Sequence, residues 1–308
     1  MSTRLEDSEL RISRTGIGVW QASEDWHGDD AEIIGAVERA HDLGVNLVDT
    51  AEAYGDGHSE EVLGQALRKL GRDNFVVATK VNGAHLRYDE LQKACRASLS
   101  RLGITEIDLY QVHWPDPWEQ IPLKHTMKAL EKLYNEGKIR AIGVSNFAVR
   151  DLEEAQTYLS KTEIVSNQVR YNLLQREIEE EVLPYCERMG MTILAWSPLA
   201  QGALTGKYST KNLPTGDVRS QNKLFVRRNM VQIEKILEVL TRVGEKHSTT
   251  AGQVALAWLT TKDIVVPIPG AKNASQAEEN IRGGDLHLSG REISEIERTA
   301  TLVKLDYF

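Results

Sequence analysis

The sequence has little cysteine, no long apolar run and a deficit of positive charge. Its two cysteines, Cys95 and Cys186, form no metal-binding or redox motif and are expected to be buried apolar residues. No apolar run is long enough to span a bilayer, and the polar start MSTRLEDSEL lacks the apolar core of a signal peptide. The formal net charge of -8 argues against nucleic acid or an anionic membrane as the main partner. Two thiols with no export signal fit a reducing cytoplasm, so we expect a cytoplasmic protein.

Short apolar runs alternate with amphipathic helical patterns along nearly the whole chain. The runs are rich in Val, Ile and Leu without strict alternation, as in strands that are buried on both faces. Strands are predicted at Gly16–Trp20, Asn46–Asp49, Phe75–Val81, Ile107–His113, Ile139–Ser145, Ile164–Gln168, Met191–Trp196 and Ile264–Ile268. Helices are predicted at Asp30–Leu43, Ser59–Leu70, Tyr88–Leu102, Leu123–Glu136, Val149–Tyr158, Glu177–Met189 and Met230–His247. This alternation predicts an α/β fold, a (β/α)8 TIM barrel in one domain that spans residues 1–308.

Three further segments decorate the predicted barrel. A strand-like stretch at Leu10–Ser13 precedes the first barrel strand and is expected to belong to a β-hairpin that plugs the bottom of the barrel. Extra helices are predicted before the eighth strand, at Ala251–Thr261, and at the C-terminus, at Glu292–Leu302. The longest irregular stretch, Thr205–Asn229, follows the seventh strand, and a loop of that length inside a compact domain is usually functional.

Polar residues follow the predicted strands at the ends where barrels of this kind carry their chemistry. The segment LVDTAEAYGDGHSEEVLGQAL contains Asp49 at the end of one strand and Tyr54 in the next loop. Lys80 ends the strand FVVATK, and His113 ends IDLYQVH. Each residue alone has an ordinary structural explanation, such as a turn former or a packed ring. Lys80 and His113, however, end runs too apolar for surface strands, so their polar groups need partners.

The four residues together are suited to proton donation. A tyrosine has a pKa near 10, which is too high for an effective acid at neutral pH. A nearby lysine lowers that pKa, an aspartate holds the lysine charged, and a histidine binds the same substrate oxygen or relays its proton. The sequence therefore predicts that Tyr54 is a general acid facing a developing alkoxide.

A reduction also needs a hydride donor, and the loops after strands seven and eight suit a dinucleotide. No GxGxxG motif follows a strand, since GDGHSE at Gly55–Glu60 lacks the final glycine, and this argues against a Rossmann site. Barrels bind phosphates in the loops after strands seven and eight. Those loops read SPLAQGALTGKY and PGAKNASQAEEN, and the second places Lys272 and Asn273 at the start of a helix, a natural anion site.

Seven segments in register resemble the aldo-keto reductase family over essentially the whole chain. They are GVNLVDTAEAYGDGHSEEVLGQAL, the lysine of VVATK, the histidine of IDLYQVHW, GKIRAIGVSNF, SNQVRYN, SPLAQGALTGKY and IPGAKNASQAEEN. The resemblance implies a catalytic tetrad of Asp49, Tyr54, Lys80 and His113, with NADPH (NADP+) as cofactor and a small-molecule carbonyl as substrate.

The resemblance also implies the residues that hold the cofactor. Ser145, Asn146 and Gln168 match the positions that bind the nicotinamide carboxamide, and Trp196 matches the residue that stacks on its ring. The remaining matches are, for the pyrophosphate, Ser197, Leu199, Gln201, Gly202, Lys207 and Arg219, and, for the adenosine and 2′-phosphate, Gly270, Lys272, Gln276, Glu279 and Asn280. Trp20 is expected to contact both cofactor and substrate.

Two departures from the family pattern affect specificity. Many relatives have an arginine near the position of Gln276, so Lys272 is expected to be the main contact of the 2′-phosphate. The segment after the last predicted helix is short, so the substrate pocket is expected to be open and lined by tryptophans and Phe147. Trp20 and Trp114 are expected to contact substrate, whereas packing is favoured for Trp26 and Trp118.

Two other functions are compatible with parts of the pattern. Potassium-channel β subunits share the PGA-x-N loop and the Trp-Ser-Pro-Leu-Ala segment, and they use the cofactor mainly to regulate a partner. Those subunits carry Asn at the position of His113, so the complete tetrad favours an enzyme. A Schiff-base lyase would explain Lys80 but not the cofactor loops.

Overall fold

The computed structural model describes residues 2–4, 10–118 and 120–306. Its strands are β1 (Ser2–Arg4), β2 (Arg11–Ser13), β3 (Ile17–Gly18), β4 (Leu47–Asp49), β5 (Val76–Val81), β6 (Ile107–Val112), β7 (Ile139–Ser145), β8 (Ile164–Arg170), β9 (Thr192–Trp196) and β10 (Val265–Pro267). Strands β3 to β10 pair in chain order and are all parallel. The sheet closes because Gly16 N donates to Pro267 O at 2.9 Å and Gly18 N donates to Pro269 O at 3.1 Å. The predicted (β/α)8 barrel is confirmed.

The helices lie outside the barrel and close to their predicted positions. They are α1 (Asp30–Asp42), α2 (His58–Leu70), α3 (Tyr88–Leu102), α4 (Leu123–Asn135), α5 (Val149–Thr157), α6 (Val182–Met189), α7 (Arg227–His247), α8 (Ala251–Leu259), α9 (Ala274–Gly284) and α10 (Gly290–Leu302). Helix α6 is shorter than predicted, because Glu177–Glu179 forms a separate 3-10 turn. Both extra helices, α8 and α10, are present. Across the described ranges, no helix combines the length and the apolar character needed to cross a membrane.

The hairpin of β1 and β2 closes the bottom of the barrel, as predicted. The two strands are antiparallel, with Ser2 opposite Ser13. Leu10 and Ile12 are buried in one cluster with the inward-facing residues Leu47, Val76, Ala78, Leu109, Ala141, Val165, Leu194, Val266 and Ile268. The interior of the barrel at the N-terminal ends of its strands is therefore filled with apolar side chains.

Strand alternation places polar residues in the next interior layer. Successive side chains of a strand point to opposite faces, so the residues two positions beyond Leu47, Ala78 and Leu109 also face inward. These residues are Asp49, Lys80 and Gln111, and all three are buried. The barrel interior therefore changes from apolar to polar toward the C-terminal ends of its strands.

Candidate active site

Lys80 lies at the centre of the polar layer and joins Asp49 to Tyr54. Its Nζ donates to Asp49 Oδ1 at 2.7 Å and to Thr50 O at 2.7 Å. The same atom lies 3.4 Å from Tyr54 Oη. Lys80 is 0% exposed, so these oxygens take the place of water around its charge. The strand ends of β4 and β5 thus bring three of the four predicted catalytic residues into one hydrogen-bonded group.

Two glutamines hold the other oxygen of Asp49. Gln168 Nε2 donates to Asp49 Oδ2 at 2.8 Å, and Gln111 Nε2 lies 3.4 Å from the same oxygen. The aspartate is therefore held in its buried position by three donors, Lys80, Gln168 and Gln111. It in turn orients the amine of Lys80 toward Tyr54.

Burial and charge act in opposite directions on Tyr54 and Lys80. Burial raises the pKa of Tyr54 above its usual value near 10, although Lys80 acts to lower it. The prediction that the pKa of Tyr54 is lowered overall is therefore wrong. Lys80 lowers this pKa, as predicted, but burial raises it by more. Burial also disfavours the charge of Lys80, yet Asp49 and Tyr54 outweigh burial and raise the pKa of that lysine. At neutral pH Tyr54 holds its proton and Lys80 is charged.

His113 completes the group as a neutral imidazole. Its ring meets the Tyr54 ring edge-on, with centroids 5.5 Å apart. Burial, together with the charge of Lys80, lowers the pKa of His113 to about 3. The ring is therefore neutral at physiological pH and has one N–H donor and one acceptor nitrogen.

The group opens into a cavity of about 760 Å³ that runs across the C-terminal mouth of the barrel. Asp49, Tyr54 and His113 line its inner end, whereas Lys80 lies behind them. Every residue predicted for the cofactor also lines the cavity. These are Trp20, Ser145, Asn146, Gln168, Trp196, Ser197, Leu199, Gln201, Gly202, Lys207, Arg219, Gly270, Lys272, Gln276, Glu279 and Asn280.

The residues predicted to bind the carboxamide form a chain of hydrogen bonds next to Tyr54. Trp196 Nε1 donates to Asn146 Oδ1 at 3.0 Å, and Asn146 Nδ2 donates to Ser145 Oγ at 2.9 Å. Ser145 Oγ donates to the backbone oxygen of Gln168 at 2.8 Å. Asn146 holds a left-handed backbone with φ of 63°, a strained geometry that often accompanies function in a non-glycine residue. This series of hydrogen bonds orients the Trp196 indole against the cavity.

The loop after β9 forms a concave backbone surface. Ser197, Ala200 and Gln201 all have positive φ values between 49° and 55°, and Gly202 has φ of 97°. A Cβ at Gly202 would lie 3.4 Å from the Tyr208 ring and 3.9 Å from Arg219 Nη1. Turns that include left-handed residues direct successive backbone N–H groups to one side, and such concave surfaces bind phosphate oxygens.

The far end of the cavity concentrates positive charge. Lys207, Arg219 and Lys272 all line it, and Asp217 pairs with Arg219, whose Nε lies 3.0 Å from Asp217 Oδ1. Burial, followed by the charge of Arg219, lowers the pKa of Lys272. The N-terminus of α9 lies here too, capped by Asn273 Oδ1, which accepts from Gln276 N at 3.0 Å. Mutually repelling cations beside a helix N-terminus are suited to binding an anion.

The aromatic residues considered for the substrate pocket lie in different places relative to the cavity. Trp20 and Trp114 line the cavity, and Trp20 stacks on the Tyr54 ring with centroids 5.8 Å apart. Phe147 does not line the cavity and is only 1% exposed, so its predicted substrate contact is wrong, because it faces the helix layer. Trp118 is 77% exposed and is absent from the lining, so neither packing nor a pocket role describes it.

The segment between β3 and α1 contributes residues that the sequence did not reveal. Lys272 Nζ donates to Trp26 O at 2.7 Å, and the Trp26 ring lies below the guanidinium of Arg219 at 5.1 Å. A Cβ at Gly270 would come within 2.2 Å of the Gln21 carboxamide, so a side chain there would displace Gln21. Among the described residues, Gln21 Oε1 is buried without a hydrogen-bond partner, and it lines the cavity. No local pattern around Gln21 signals this contact, which crosses about 250 residues of sequence.

No metal site accompanies these groups in the part of the chain that the structure describes. Within those ranges, no three His, Cys, Asp or Glu residues are placed to hold an ion.

Comparisons with known proteins agree with this geometry. The sequence profile described as the Aldo/keto reductase family matches residues 14–300. An uncharacterized oxidoreductase of Mycobacterium bovis is 40% identical over 286 residues, which cover 91% of this chain and 87% of that protein. The NADH-specific methylglyoxal reductase of Escherichia coli is 35% identical, over 92% of this chain and 94% of its own.

A solved structure extends the agreement to three dimensions. The crystal structure of an aldo-keto reductase from Klebsiella pneumoniae in complex with NADPH has a TM-score of 0.80 and is 30% identical, over 100% of this chain and 97% of that one. Fold, site geometry and sequence thus lead to the same conclusion. The chain belongs to the aldo/keto reductase family of oxidoreductases.

Proposed function

We propose that the protein reduces aldehydes and ketones to alcohols with NADPH, with Tyr54 as the general acid. The observation that carries this proposal is the contact of Tyr54 Oη with Lys80 Nζ at 3.4 Å, in the wall of a cavity whose other end is cationic. A proton donor and an anion site in one cavity are what such a reduction needs.

Each side chain of the group has a separate role in the protonation of the carbonyl oxygen. Tyr54 holds the proton at neutral pH and donates it as negative charge develops on that oxygen. The charged Lys80 stabilises the phenolate that remains, and Asp49 keeps the lysine ionised and aimed. His113 is neutral and offers one N–H as a second donor to the same oxygen. None of these groups needs to change its charge before the substrate binds.

The residues present fit a dinucleotide. The left-handed turn at Ser197–Gly202 suits a pyrophosphate, Trp196 offers an aromatic face, and Ser145 with Asn146 offers hydrogen-bonding groups for a carboxamide. When bound, the nicotinamide supplies the hydride. The chain's own contribution is to align that ring beside Tyr54 and to exclude water with Trp20 and Trp114.

Charge supports NADPH over NADH. The extra 2′-phosphate carries nearly two negative charges, and Lys272 and Arg219 lie at the cationic end of the cavity. Glu279 is the one acid near the start of α9 that lines the cavity, and it already accepts from Thr250 Oγ1 at 2.9 Å. The Escherichia coli relative is named as NADH-specific and the Klebsiella structure contains NADPH, so cofactor choice varies among similar proteins.

The two alternatives fit the site less well. A Schiff-base lysine must be reachable by substrate and able to lose its proton. Lys80 is fully buried, bonds Asp49 and Thr50, and has a raised pKa. A regulatory subunit that only binds cofactor would not need a tyrosine held beside a lysine, and it makes a separate prediction, namely cofactor binding without turnover.

Tyr54→Phe tests the proposal. The substitution removes one hydroxyl whose contact with Lys80 is long, so we expect little loss of stability and nearly unchanged NADPH affinity. The rate of carbonyl reduction should fall by roughly 10²–10⁴-fold, the usual contribution of a general acid. Turnover is followed by NADPH absorbance with benzaldehyde-type and short-chain aldehydes, and affinity by cofactor fluorescence.

Tyr110→Phe is the matched control. Tyr110 is fully buried, whereas Tyr54 is half-buried, and the Tyr110 hydroxyl has no hydrogen-bond partner among the described residues; the Tyr110 ring faces the helix layer rather than the cavity. The control variant should keep wild-type turnover. Comparable turnover in wild type and Tyr54→Phe would refute the assignment, and NADPH binding without any turnover in the wild type would favour the regulatory alternative.

A further inference from the structure

Tyr54 lies in a short loop between two buried carboxylates. Glu52 precedes it by two residues, and Glu60 follows it by six, in the first turn of α2. Glu60 is 0% exposed, and Glu52 is nearly as deeply buried. A buried carboxylate without a compensating charge is costly, so the position of this loop depends on what neutralises the two acids.

One guanidinium faces both carboxylates. Arg101 Nε donates to Glu60 Oε2 at 2.7 Å, and its Nη2 lies 2.6 Å from the same oxygen. That Nη2 also lies 3.9 Å from Glu52 Oε2, while the other oxygen of Glu52, Oε1, lies 3.0 Å from His85 Nδ1. Arg101 comes from the last turn of α3 and does not line the cavity. A residue outside the site therefore supplies a cation that pairs closely with Glu60 and also faces Glu52, the two acids buried beside Tyr54.

Close packing holds Arg101 directly against the loop. A Cβ at Gly57, the last residue before α2, would lie 2.4 Å from Arg101 Nε. A Cβ at Gly64, nearly two turns into α2, would lie 2.8 Å from the backbone oxygen of Arg101. Helices α2 and α3 therefore approach with no spare room, so the guanidinium has little freedom to move relative to Tyr54.

The same network reaches the strand that carries Lys80. Thr79 Oγ1 donates to Glu60 Oε1 at 2.6 Å, and Thr79 is the residue before Lys80 on β5. Asn82 N donates to Glu52 Oε1 at 2.5 Å, two residues beyond Lys80. Both acids thus connect the Tyr54 loop to β5 on either side of the lysine.

We propose that Arg101 is a positioning residue for Tyr54: by neutralising Glu52 and Glu60 it fixes the loop that holds the tyrosine against Lys80. This inference rests on the proposed role of Tyr54 as the proton donor. Without the guanidinium, Glu60 keeps one hydrogen-bond donor among the described residues, Thr79, and the loop relaxes outward to hydrate or protonate the acid. A displacement of about 1 Å at a reacting group costs up to about 100-fold in rate.

The test is a double-mutant cycle between Arg101→Met and Tyr54→Phe. Arg101→Met alone should lower kcat by about 10- to 100-fold, with NADPH affinity and substrate KM changed less than about two-fold. In the Tyr54→Phe background the same substitution should change kcat less than about two-fold, because its only route to the chemistry has already been removed. A residue that merely stabilises the barrel would give additive losses.

Two further variants examine the electrostatic cause. Glu60→Gln in the Arg101→Met background removes the uncompensated charge, so it should recover part of the lost kcat. Arg101→Lys keeps the positive charge but loses the second donor nitrogen of the guanidinium. Its kcat should therefore lie between those of wild type and Arg101→Met. If Arg101→Met does not fold, Arg101→Lys takes its place in the cycle with Tyr54→Phe.

Arg72→Met is the matched control at the opposite end of the same strands. Its side chain is 26% exposed, against 22% for Arg101, and it pairs with Asp108, whose side chain is 2% exposed. We expect it to lower stability but not kcat at a temperature where the protein is folded.

The outcomes separate the two proposals. Loss of kcat with Tyr54→Phe, together with a non-additive cycle and an inert Arg72→Met, supports the positioning role. Additive losses, or equal loss of kcat in Arg72→Met, overturn it and leave the role of Tyr54 intact. Wild-type turnover in Tyr54→Phe overturns the proposed function and the positioning role together.

Discussion

Replacing Lys80 by methionine should destabilise the protein and abolish reduction for different reasons. Methionine fills the volume of the side chain but leaves Asp49, which is buried, without the cation 2.7 Å from its Oδ1. Breaking a buried pair by removing one partner costs about 3–5 kcal/mol. Gln168 and Gln111 still donate to Asp49 Oδ2, so we expect the lower end, about 3 kcal/mol.

The stability lost in Lys80→Met should become smaller as the pH falls. An uncompensated buried carboxylate has a raised pKa, so the folded variant binds a proton that the unfolded chain does not. Folded stability then rises as pH falls. The deficit of Lys80→Met relative to wild type should therefore be largest near pH 7–8 and shrink toward pH 5, a trend that urea unfolding followed by circular dichroism can measure.

Lys80→Met/Asp49→Asn separates stability from chemistry. The double variant has no unpaired buried charge, so most of the lost stability should return, while turnover stays low because Tyr54 lacks its cation. A single variant as stable as wild type at pH 7 would refute the pairing argument. A double variant no more stable than the single one would show that the loss does not come from Asp49.

Three further outcomes follow from the geometry. With Trp196→Leu, most of the tryptophan quenching caused by NADPH should vanish and affinity should weaken; quenching that survives would place the nicotinamide elsewhere. With Lys272→Ala, NADPH affinity should fall by about one to two decades, from a charge-assisted contact of about 1.5–3 kcal/mol, while NADH affinity is nearly unchanged. Equal losses for both cofactors would contradict a 2′-phosphate contact. The pKa of His113 is lowered to about 3, so the unfolded chain takes up a proton below about pH 6.5 that the folded chain does not. Its contribution to stability is therefore complete above that pH and lost by up to about 1.4 kcal/mol per pH unit as pH falls. His113→Gln should flatten this acid limb in urea titrations, and an unchanged limb would contradict it.

The periodic features of the fold are local and could be predicted from the sequence. Runs such as those of β5 and β6 are apolar on both faces, and helices such as α3 carry an apolar stripe that ends at a left-handed glycine, Gly103. These patterns come from the repeat of each element and from backbone preferences, so the chain records them within a few residues. Periodicity does not fix a helix boundary where a 3-10 turn precedes the helix, as at Glu177–Glu179 before α6.

The grouping of the proposed catalytic residues could also be predicted from the sequence, because parallel strands bring their C-terminal ends together. Asp49, Lys80 and His113 end three neighbouring strands, and the barrel makes their meeting a consequence of strand order. The direction of the pKa shift of Tyr54 could not be predicted from the sequence. Whether burial or Lys80 dominates the pKa of Tyr54 depends on how much protein covers the tyrosine, and that follows from packing.

What only the tertiary structure decided is which residues of similar appearance are buried, and against what. Phe147 and Trp114 both follow strand ends, yet one packs under the helices and the other faces the cavity. An acid in the first turn of a helix is ordinarily a solvated residue that favours the helix dipole, but Glu60 is enclosed with Arg101 from the next helix. Trp26 and Lys272 meet across nearly the whole chain. Local sequence records the face and the conformation of a residue, whereas its partner and its exposure depend on the packing of segments far away in the chain.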